Sequence, residues 1–293
     1  RRCAPQRVYD AMWYGHDDAL LLAPPGTGKS FVAVHAMSRR TFEDSRYKVW
    51  IVGETLTNVA NWVDLLRDVR AETRIVANET VMTLSRLLQL DHNLKVRDPR
   101  SAAEYYYSQH LAAYASPLGA RDRRYQNAWA CFSAGSVLIV DEALQLESWF
   151  GDFFVALREE CSGYRTGRPL RIVGIGDASQ LPPNESGANP YEHVRGVASS
   201  TGQVKLCPQL LVDSALGKTA TLLTLQGMVR SPDPQVNAAL VEARFGYLGP
   251  HLTRVIQAMH DRWFAAAGDE YDSVMVPPML PREQFWGFTI FFV

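Results

Sequence analysis

The stretch LLAPPGTGKS, from Leu21 to Ser30, decides the fold class of this 293-residue chain. An apolar run leads into two glycines, a lysine and a serine, in the pattern A-x4-G-K-[ST] with Ala23 in the first position. Glycine lets backbone N–H groups turn towards phosphate oxygens with no Cβ in the way. The apolar run before the loop is typical of a buried strand, and about Ser30 to Arg40 is typical of a helix, whose N-terminus favours anions. The stretch therefore predicts a phosphate-binding loop between a strand and a helix.

The loop residues have separate expected roles. Lys29 would reach the β- and γ-phosphates of a nucleotide, and the Ser30 hydroxyl would bind Mg²⁺. A second G-K-T, at Gly217 to Thr219, has Val212 where the first glycine belongs and follows no strand. The predicted nucleotide-binding residues of the loop are Pro25, Gly26, Thr27, Gly28, Lys29 and Ser30.

An acidic pair follows a second buried strand, in SVLIVDEA from Ser136 to Ala143. Asp141 would hold Mg²⁺ directly or through water, and Glu142 would orient and deprotonate the attacking water. An ordinary pair of solvent-facing acids at a strand end is the alternative. With the loop, the pair predicts Mg²⁺-dependent hydrolysis of ATP or another nucleoside triphosphate.

Further apolar runs indicate the fold class. Lys48 to Gly53 and Leu170 to Asp177 are continuous rather than alternating, as in strands of a parallel sheet covered by helices on both faces. We therefore expect an α/β doubly wound core. We predict a first lobe over residues 1–216, with a basic, tyrosine-rich helical insertion at about 91–130, and the start of a second, truncated lobe over 217–293.

Composition limits the partners and the compartment. Lys+Arg 30 against Asp+Glu 31 gives no global basic field, so a nucleic-acid site would need local positive patches. The four cysteines lie far apart in the sequence, which predicts no structural zinc and an intracellular location. No signal peptide opens the chain, and the apolar end from Phe285 to Val293 is too short to span a bilayer. We expect no membrane association, and a monomeric core that is a fragment of a larger protein.

The stretch GIGDASQLPP, from Gly174 to Pro183, distinguishes between classes of phosphate-loop protein. It resembles the third motif of superfamily 1 helicases, which reads close to G-D-x-x-Q-L-P-P. The resemblance implies a RecA-like parallel sheet sandwiched by helices, ATP and Mg²⁺ as cofactors, and single-stranded RNA or DNA as the partner. It also implies that Gln180 contacts the γ-phosphate. The overall pattern is most similar to the branch that contains RNA-surveillance and nidovirus-type 5′-to-3′ helicases.

Other stretches follow the order of motifs in that family. CAPQRVYDAMW resembles the segment whose glutamine reads adenine, which implies that role for Gln6. TLTNVANW and ETVMTLSRLL resemble segments that contact the nucleic-acid strand, which implies Thr57, Asn58 and Thr83 as contacts. LTLQGMVRSP resembles the start of the second motor lobe, which implies that Arg230 crosses to the γ-phosphate. For Thr83 a plain helix cap is the alternative, and for Gln6 a plain surface residue.

Two further functions stay open. A ring-forming AAA+ remodelling ATPase would share the loop and the acidic pair, although GDASQLPP argues against it. A nucleotide-gated module that binds nucleic acid without unwinding it is favoured by the absence of later helicase motifs from residues 250–293. The insertion is likewise open to two interpretations: a nucleic-acid surface of arginines and tyrosines, or a helical excursion whose tyrosines pack on the core.

Overall fold

A computed structural model of the chain describes residues 4–24, 26–73, 78–90, 94, 97–111, 125–165, 168–177, 214–225, 233–244 and 248–267. The strands in this part are β1 (Ala19–Leu22), β2 (Val49–Gly53), β3 (Glu79–Thr83), β4 (Val137–Asp141), β5 (Arg171–Gly176) and β6 (Thr221–Thr224). They form one sheet in the order β3-β2-β4-β5-β1-β6, and every pairing is parallel. The predicted α/β class with a parallel sheet is confirmed.

Helices connect the strands. Those before β4 are α1 (Ala4–Tyr14), α2 (Lys29–Glu43), α3 (Leu56–Thr73), α4 (Leu84–Leu88), α5 (Pro99–Tyr106) and α6 (Gln126–Ala134). Those after β4 are α7 (Ser148–Glu160), α8 (Ala215–Thr219), α9 (Pro234–Arg244) and α10 (Pro250–Ala267). A π-helical turn (Tyr107–Leu111) continues α5, and short 3₁₀ turns lie at Ala143–Gln145 and Cys161–Tyr164.

The four inner strands of the sheet are buried on both faces, which explains their continuous apolar sequences. Successive side chains of a strand point to opposite faces. Leu138 and Val140 of β4 accordingly belong to one hydrophobic cluster, which includes residues of α4 to α7. Val137 and Ile139 belong to a second cluster, which includes residues of α1, α2 and α3.

A largely buried ion pair fixes the amino ends of β1 and β5. The Asp18 carboxylate, directly before β1, accepts hydrogen bonds from Arg158 Nη1 of α7 at 2.7 Å and from the Ile172 backbone N–H of β5 at 2.8 Å. Because both oxygens of Asp18 are engaged by Arg158, the pair has the satisfied geometry that a buried charge requires. The contact aligns β1 and β5, and both strands lead to the carboxyl edge of the sheet.

The position of β6 bears on where the first lobe ends, which the sequence predicts at residue 216. The strand expected to open a second lobe lies beside β1, with Ala19 opposite Thr221 and Leu22 opposite Thr224. It therefore completes the first sheet. Contacts instead divide the chain into Arg1–Pro232 and Asp233–Val293. The assignment of the later residues to a second RecA-like lobe stays a prediction.

The described part of the insertion packs mainly against the hydrophobic core. Tyr106 is fully buried and donates its hydroxyl hydrogen bond to the Leu88 carbonyl. Tyr105, by contrast, is 38% exposed, and the Arg97 guanidinium lies over its ring, 4.2 Å from the ring centroid. The packing interpretation thus holds for Tyr106, whereas Tyr105 keeps an accessible face. Four basic residues of the insertion that could contribute to a nucleic-acid surface lie outside the described residues: Lys95, Arg121, Arg123 and Arg124.

The second unit contains α9 and α10, which pack against each other. Glu242 near the end of α9 accepts a hydrogen bond at 2.7 Å from the Leu252 N–H, in the first turn of α10. An acidic side chain at a helix N-terminus is favourable because free N–H groups point outward there. In the part of the chain that the structure describes, no helix has both the length and the apolar character needed to cross a membrane.

Candidate functional site

The phosphate-binding loop connects the end of β1 to the start of α2, as the sequence predicts. Gly26 and Gly28 have φ angles of 76° and 81°, in the left-handed region that favours glycine. The Thr27 hydroxyl donates to the Pro24 carbonyl at 2.8 Å and closes the turn from inside. Gly28 is the N-cap of α2 and provides no side-chain cap. The first N–H groups of α2 are thus suited to an anion, beside half-buried Lys29 and Ser30.

Asp141 is the last residue of β4 and is only 8% exposed. Its position in the strand alternation puts it on the same face as Val137 and Ile139, the face that α2 and α3 cover. Its Oδ2 accepts a hydrogen bond of 2.7 Å from the indole Nε1 of Trp62, a buried residue of α3. Trp62 and Asp141 are 79 positions apart, so the sequence has no signal of their contact.

Glu142 has an unusual backbone conformation. Its φ and ψ are 50° and 36°, in the left-handed region, which costs a non-glycine residue about 1–3 kcal/mol. The following 3₁₀ turn holds it there, because the Gln145 N–H donates to the Glu142 carbonyl at 2.9 Å. The chain therefore bends sharply directly after Asp141.

β5 lies between β1 and β4 in the sheet, so its carboxyl end separates the loop from the acidic pair. Leu22 is paired with Gly176, and the Ala23 N–H continues the ladder by donating to the Gly176 carbonyl at 2.9 Å. A Cβ on Gly176 would lie 2.9 Å from Leu144 Cγ, so the glycine allows the 3₁₀ turn after Glu142 to approach β5. Asp177, which follows, is 2% exposed.

The three residues predicted to contact the nucleic-acid strand, Thr57, Asn58 and Thr83, lie together at the carboxyl edge of the sheet, beside β2 and β3. Gly53 of β2 is paired with Thr83 of β3, and a Cβ on Gly53 would lie 2.7 Å from Asn58 Cβ. Thr57, in the first turn of α3, is exposed. Thr83 is also the N-cap of α4 and accepts from the Arg86 N–H at 3.2 Å. The helix cap predicted as the alternative for Thr83 is therefore present. Thr57 takes no part in this cap and stays exposed.

Of the remaining predicted site residues, the structure describes Gln6 alone. Gln6 is exposed in α1, and its Nε2 donates to Asp10 Oδ1 at 2.9 Å. Its role with adenine stays a prediction. Pro25, Gln180 and Arg230 lie outside the described residues.

The residues at this edge suit Mg²⁺ held together with nucleotide phosphates. No group of three His, Cys, Asp or Glu that could hold a metal occurs in the ranges that the structure describes. A cation here would depend on the Asp141 carboxylate, the Ser30 hydroxyl and phosphate oxygens. An all-oxygen donor set with few protein ligands is the kind that Mg²⁺ uses.

The parallel sheet, the loop after β1 and the acidic pair after β4, with β5 between them, define a RecA-like α/β fold of the phosphate-loop class. The comparison with solved structures finds similar chains. One is the Pif1 helicase from Candida albicans, with a TM-score of 0.55 and 15% identity over 87% of this chain and 46% of that chain. Another is Pif1 helicase from Bacteroides in complex with ADP-AlF3 and ssDNA, with a TM-score of 0.49 and 12% identity over 85% and 48% of the two chains.

The chain thus spans less than half the length of these two helicases. No protein-family model matches the sequence. Nor does the comparison with curated proteins find a similar sequence. The RecA-like fold that the resemblance to superfamily 1 helicases implies is confirmed. The resemblance to the RNA-surveillance and nidovirus-type branch stays a prediction.

Proposed function

We propose that this chain is the ATP-hydrolysing part of a helicase or translocase that acts on single-stranded nucleic acid. The observation that carries the proposal is the order of features along one sheet edge. The phosphate loop follows β1, the acidic pair follows β4, and the polar patch of Thr57, Asn58 and Thr83 follows β2 and β3. The fold shared with the Candida albicans Pif1 helicase supports the same class.

The loop would bind and orient the nucleotide. Backbone N–H groups from Gly26 to the first turn of α2 would hold the phosphate oxygens, and the Lys29 ammonium would offset the charge that develops on the γ-phosphate. Asp141 and Ser30 would hold Mg²⁺, which neutralises phosphate charge when bound. Gln180 and Arg230 have predicted roles at the γ-phosphate, where the arginine would link hydrolysis to closure of a second lobe.

Glu142 would act as the general base. Its carboxylate would accept the proton of the attacking water as the bond between the γ-phosphorus and its bridging oxygen breaks. The left-handed backbone of Glu142 supports this role, because strained conformations are concentrated at functional sites. Asp141, whose Oδ2 accepts a hydrogen bond from Trp62, would serve as a ligand of the cation and not as a base.

The polar patch would hold the sugar-phosphate backbone of the strand. Hydroxyl and amide groups position a backbone without reading its bases. A chain with a net charge of -1 would then bind the strand through local contacts rather than through a general positive field.

Strand binding in different nucleotide states tests this proposal. Fluorescence anisotropy of labelled single-stranded DNA and RNA would be measured without nucleotide, with ADP, and with ADP and aluminium fluoride. We expect affinity for at least one polymer to change with the nucleotide. Thr57→Ala should weaken binding by about 2- to 10-fold, because one hydrogen bond contributes about 0.5–1.5 kcal/mol.

Two variants control the test. Thr83→Ser keeps a hydroxyl for both the helix cap and the strand, so its affinity should match the wild type. Thr219→Ala removes a hydroxyl from α8, which directly precedes the amino end of β6, so it should change nothing. Equal affinities for Thr57→Ala and Thr219→Ala would contradict the assigned strand surface. ATP-dependent hexamers that bind neither polymer would instead favour a remodelling ATPase.

A further inference from the structure

The hydrogen bond between Trp62 and Asp141 connects two parts of the site that the proposed function keeps separate. Trp62 belongs to α3, the helix that carries Thr57 and Asn58 in its first turn. Asp141 belongs to β4 and is the carboxylate assigned to Mg²⁺. The indole Nε1 lies 2.7 Å from Oδ2, a distance typical of a charge-assisted hydrogen bond.

Burial makes this contact specific. Trp62 is 2% exposed and Asp141 8%, so neither group can exchange its partner for bulk water without opening the core. A buried indole N–H without an acceptor, or a buried carboxylate without its donor, is costly. The indole therefore fixes the rotation of the Asp141 side chain and engages one of its two oxygens. The carboxylate is left to present its other oxygen to a cation or to cation-bound water.

The helix supplies a direct connection to the strand surface. Trp62 follows Thr57 by five positions, about 7.5 Å along the axis of an α-helix. The Thr55 backbone carbonyl accepts from the Val59 N–H at 3.2 Å, and the Thr55 side chain accepts from the Asn58 N–H, also at 3.2 Å. Because the first turn is held in this way, a displacement of Thr57 or Asn58 by a bound strand would move the helix as a unit, and with it the indole.

We propose that Trp62 is a positioning residue that couples occupation of the strand surface to Mg²⁺ binding at Asp141. The inference rests on the proposed function, since it takes Asp141 as the cation ligand and α3 as part of the strand surface. Partners of a metal ligand typically change metal affinity by about 10- to 100-fold when they are removed. A tryptophan that only filled the core would affect stability instead.

The test is a binding measurement that needs no hydrolysis. The Mg²⁺ concentration that half-saturates binding of a fluorescent ADP analogue would be determined with and without a single-stranded oligonucleotide. In the wild type we expect the oligonucleotide to lower this concentration. Trp62→Phe keeps an aromatic ring and loses the N–H, so it should raise the concentration by about 10- to 100-fold and abolish the effect of the oligonucleotide.

Trp13→Phe is the matched control. Trp13 also donates its indole N–H to a carboxylate, Glu43 Oε2 at 3.0 Å, but Glu43 is the last residue of α2, at the end opposite the loop. This variant should keep the wild-type Mg²⁺ dependence. Thermal melting of both variants would show whether each is folded.

A double-mutant cycle keeps the inference testable if Trp62→Phe is unstable. If the indole acts through Asp141, Trp62→Phe should have no further effect on Mg²⁺ dependence in an Asp141→Asn background. Additive effects would overturn the inference, and so would equal Mg²⁺ dependence in Trp62→Phe and wild type. Because the readout is nucleotide binding, the result decides the role of Trp62 even if the chain hydrolyses no ATP, which would contradict the proposed function alone.

Discussion

Arg171 is the first residue of β5, and its charged group is buried without a carboxylate hydrogen-bonded to it in the described part of the chain. Its guanidinium donates to the carbonyls of Met12 at 2.8 Å and Ala11 at 3.2 Å, in the last turn of α1, and to that of Asp17. Burial lowers the pKa of Arg171 from its usual value. A cation at a helix C-terminus is favourable because the last carbonyls point outward there. Arg171 therefore fixes the end of α1 against the central strands.

Replacing this group tests its role in stability. Arg171→Met keeps most of the aliphatic volume but removes the hydrogen bonds that the guanidinium donates to these carbonyls, so we expect a loss of about 1.5–3 kcal/mol in the free energy of unfolding. Urea denaturation would measure it. Arg67→Met is the control, because Arg67 is exposed and pairs with Asp64 on the surface, where such pairs contribute less than about 1 kcal/mol. Similar losses in the two variants would show that Arg171 is not a structural cap.

At the scale of elements, the functional edge depends on how closely β5 and the turn after β4 pack. A Cβ on Gly176 would lie 2.9 Å from Leu144 Cγ and 3.1 Å from the Leu144 backbone nitrogen. The second contact is with backbone, which cannot rotate away. The turn that holds Glu142 in its left-handed conformation is therefore positioned by the absence of a side chain on the neighbouring strand.

Gly176→Ala should displace Glu142, the proposed general base, while leaving the phosphate loop in place. We expect slower ATP hydrolysis, by about 10-fold or more, with a much smaller change in nucleotide affinity. Steady-state kinetics together with nucleotide titration would separate the two effects. Gly163→Ala is the matched control, because a Cβ there meets nothing within 4 Å. A Gly176→Ala protein with wild-type turnover would show that the turn tolerates the displacement.

The elements also show what the sequence can predict. β1, β2, β4 and β5 are buried on both faces, and their continuous apolar runs identify them without structural information. β3 and β6 are the outer strands of the sheet and are partly exposed, so they have no such run. The strand at Thr221–Thr224 is recognisable, but its pairing with β1 is a contact between residues some 200 positions apart, for which the sequence has no local signal.

The features of the site likewise divide into those that the sequence predicts and those that it does not. Gly26, Gly28, Lys29 and Ser30 are consecutive or nearly so, and their chemistry can be predicted from spacing alone. The contact of Trp62 with Asp141 depends on how α3 packs over β4, and the bend at Glu142 depends on how Leu144 packs against Gly176. These are tertiary contacts between separate segments, so no motif predicts them.

For the molecule as a whole, the described site lies entirely within the first unit, Arg1–Pro232. The loop, the acidic pair and the proposed strand surface all belong to this unit. The predicted arginine finger, Arg230, falls at the end of the same unit, outside the described residues. Turnover, unlike binding, would depend on the position of that arginine.

The most direct measurement is the rate of Mg²⁺-dependent ATP hydrolysis with and without single-stranded DNA or RNA. We expect at least one polymer to raise the rate, and we expect Lys29→Ala and Glu142→Gln each to reduce it by about 100-fold or more. Lys218→Ala is the matched control, because Lys218 occupies the second G-K-T, in the exposed part of α8. This variant should hydrolyse ATP at the wild-type rate. Hydrolysis that both variants abolish but neither polymer changes would contradict coupling to a strand, and strand binding without any turnover would contradict a motor.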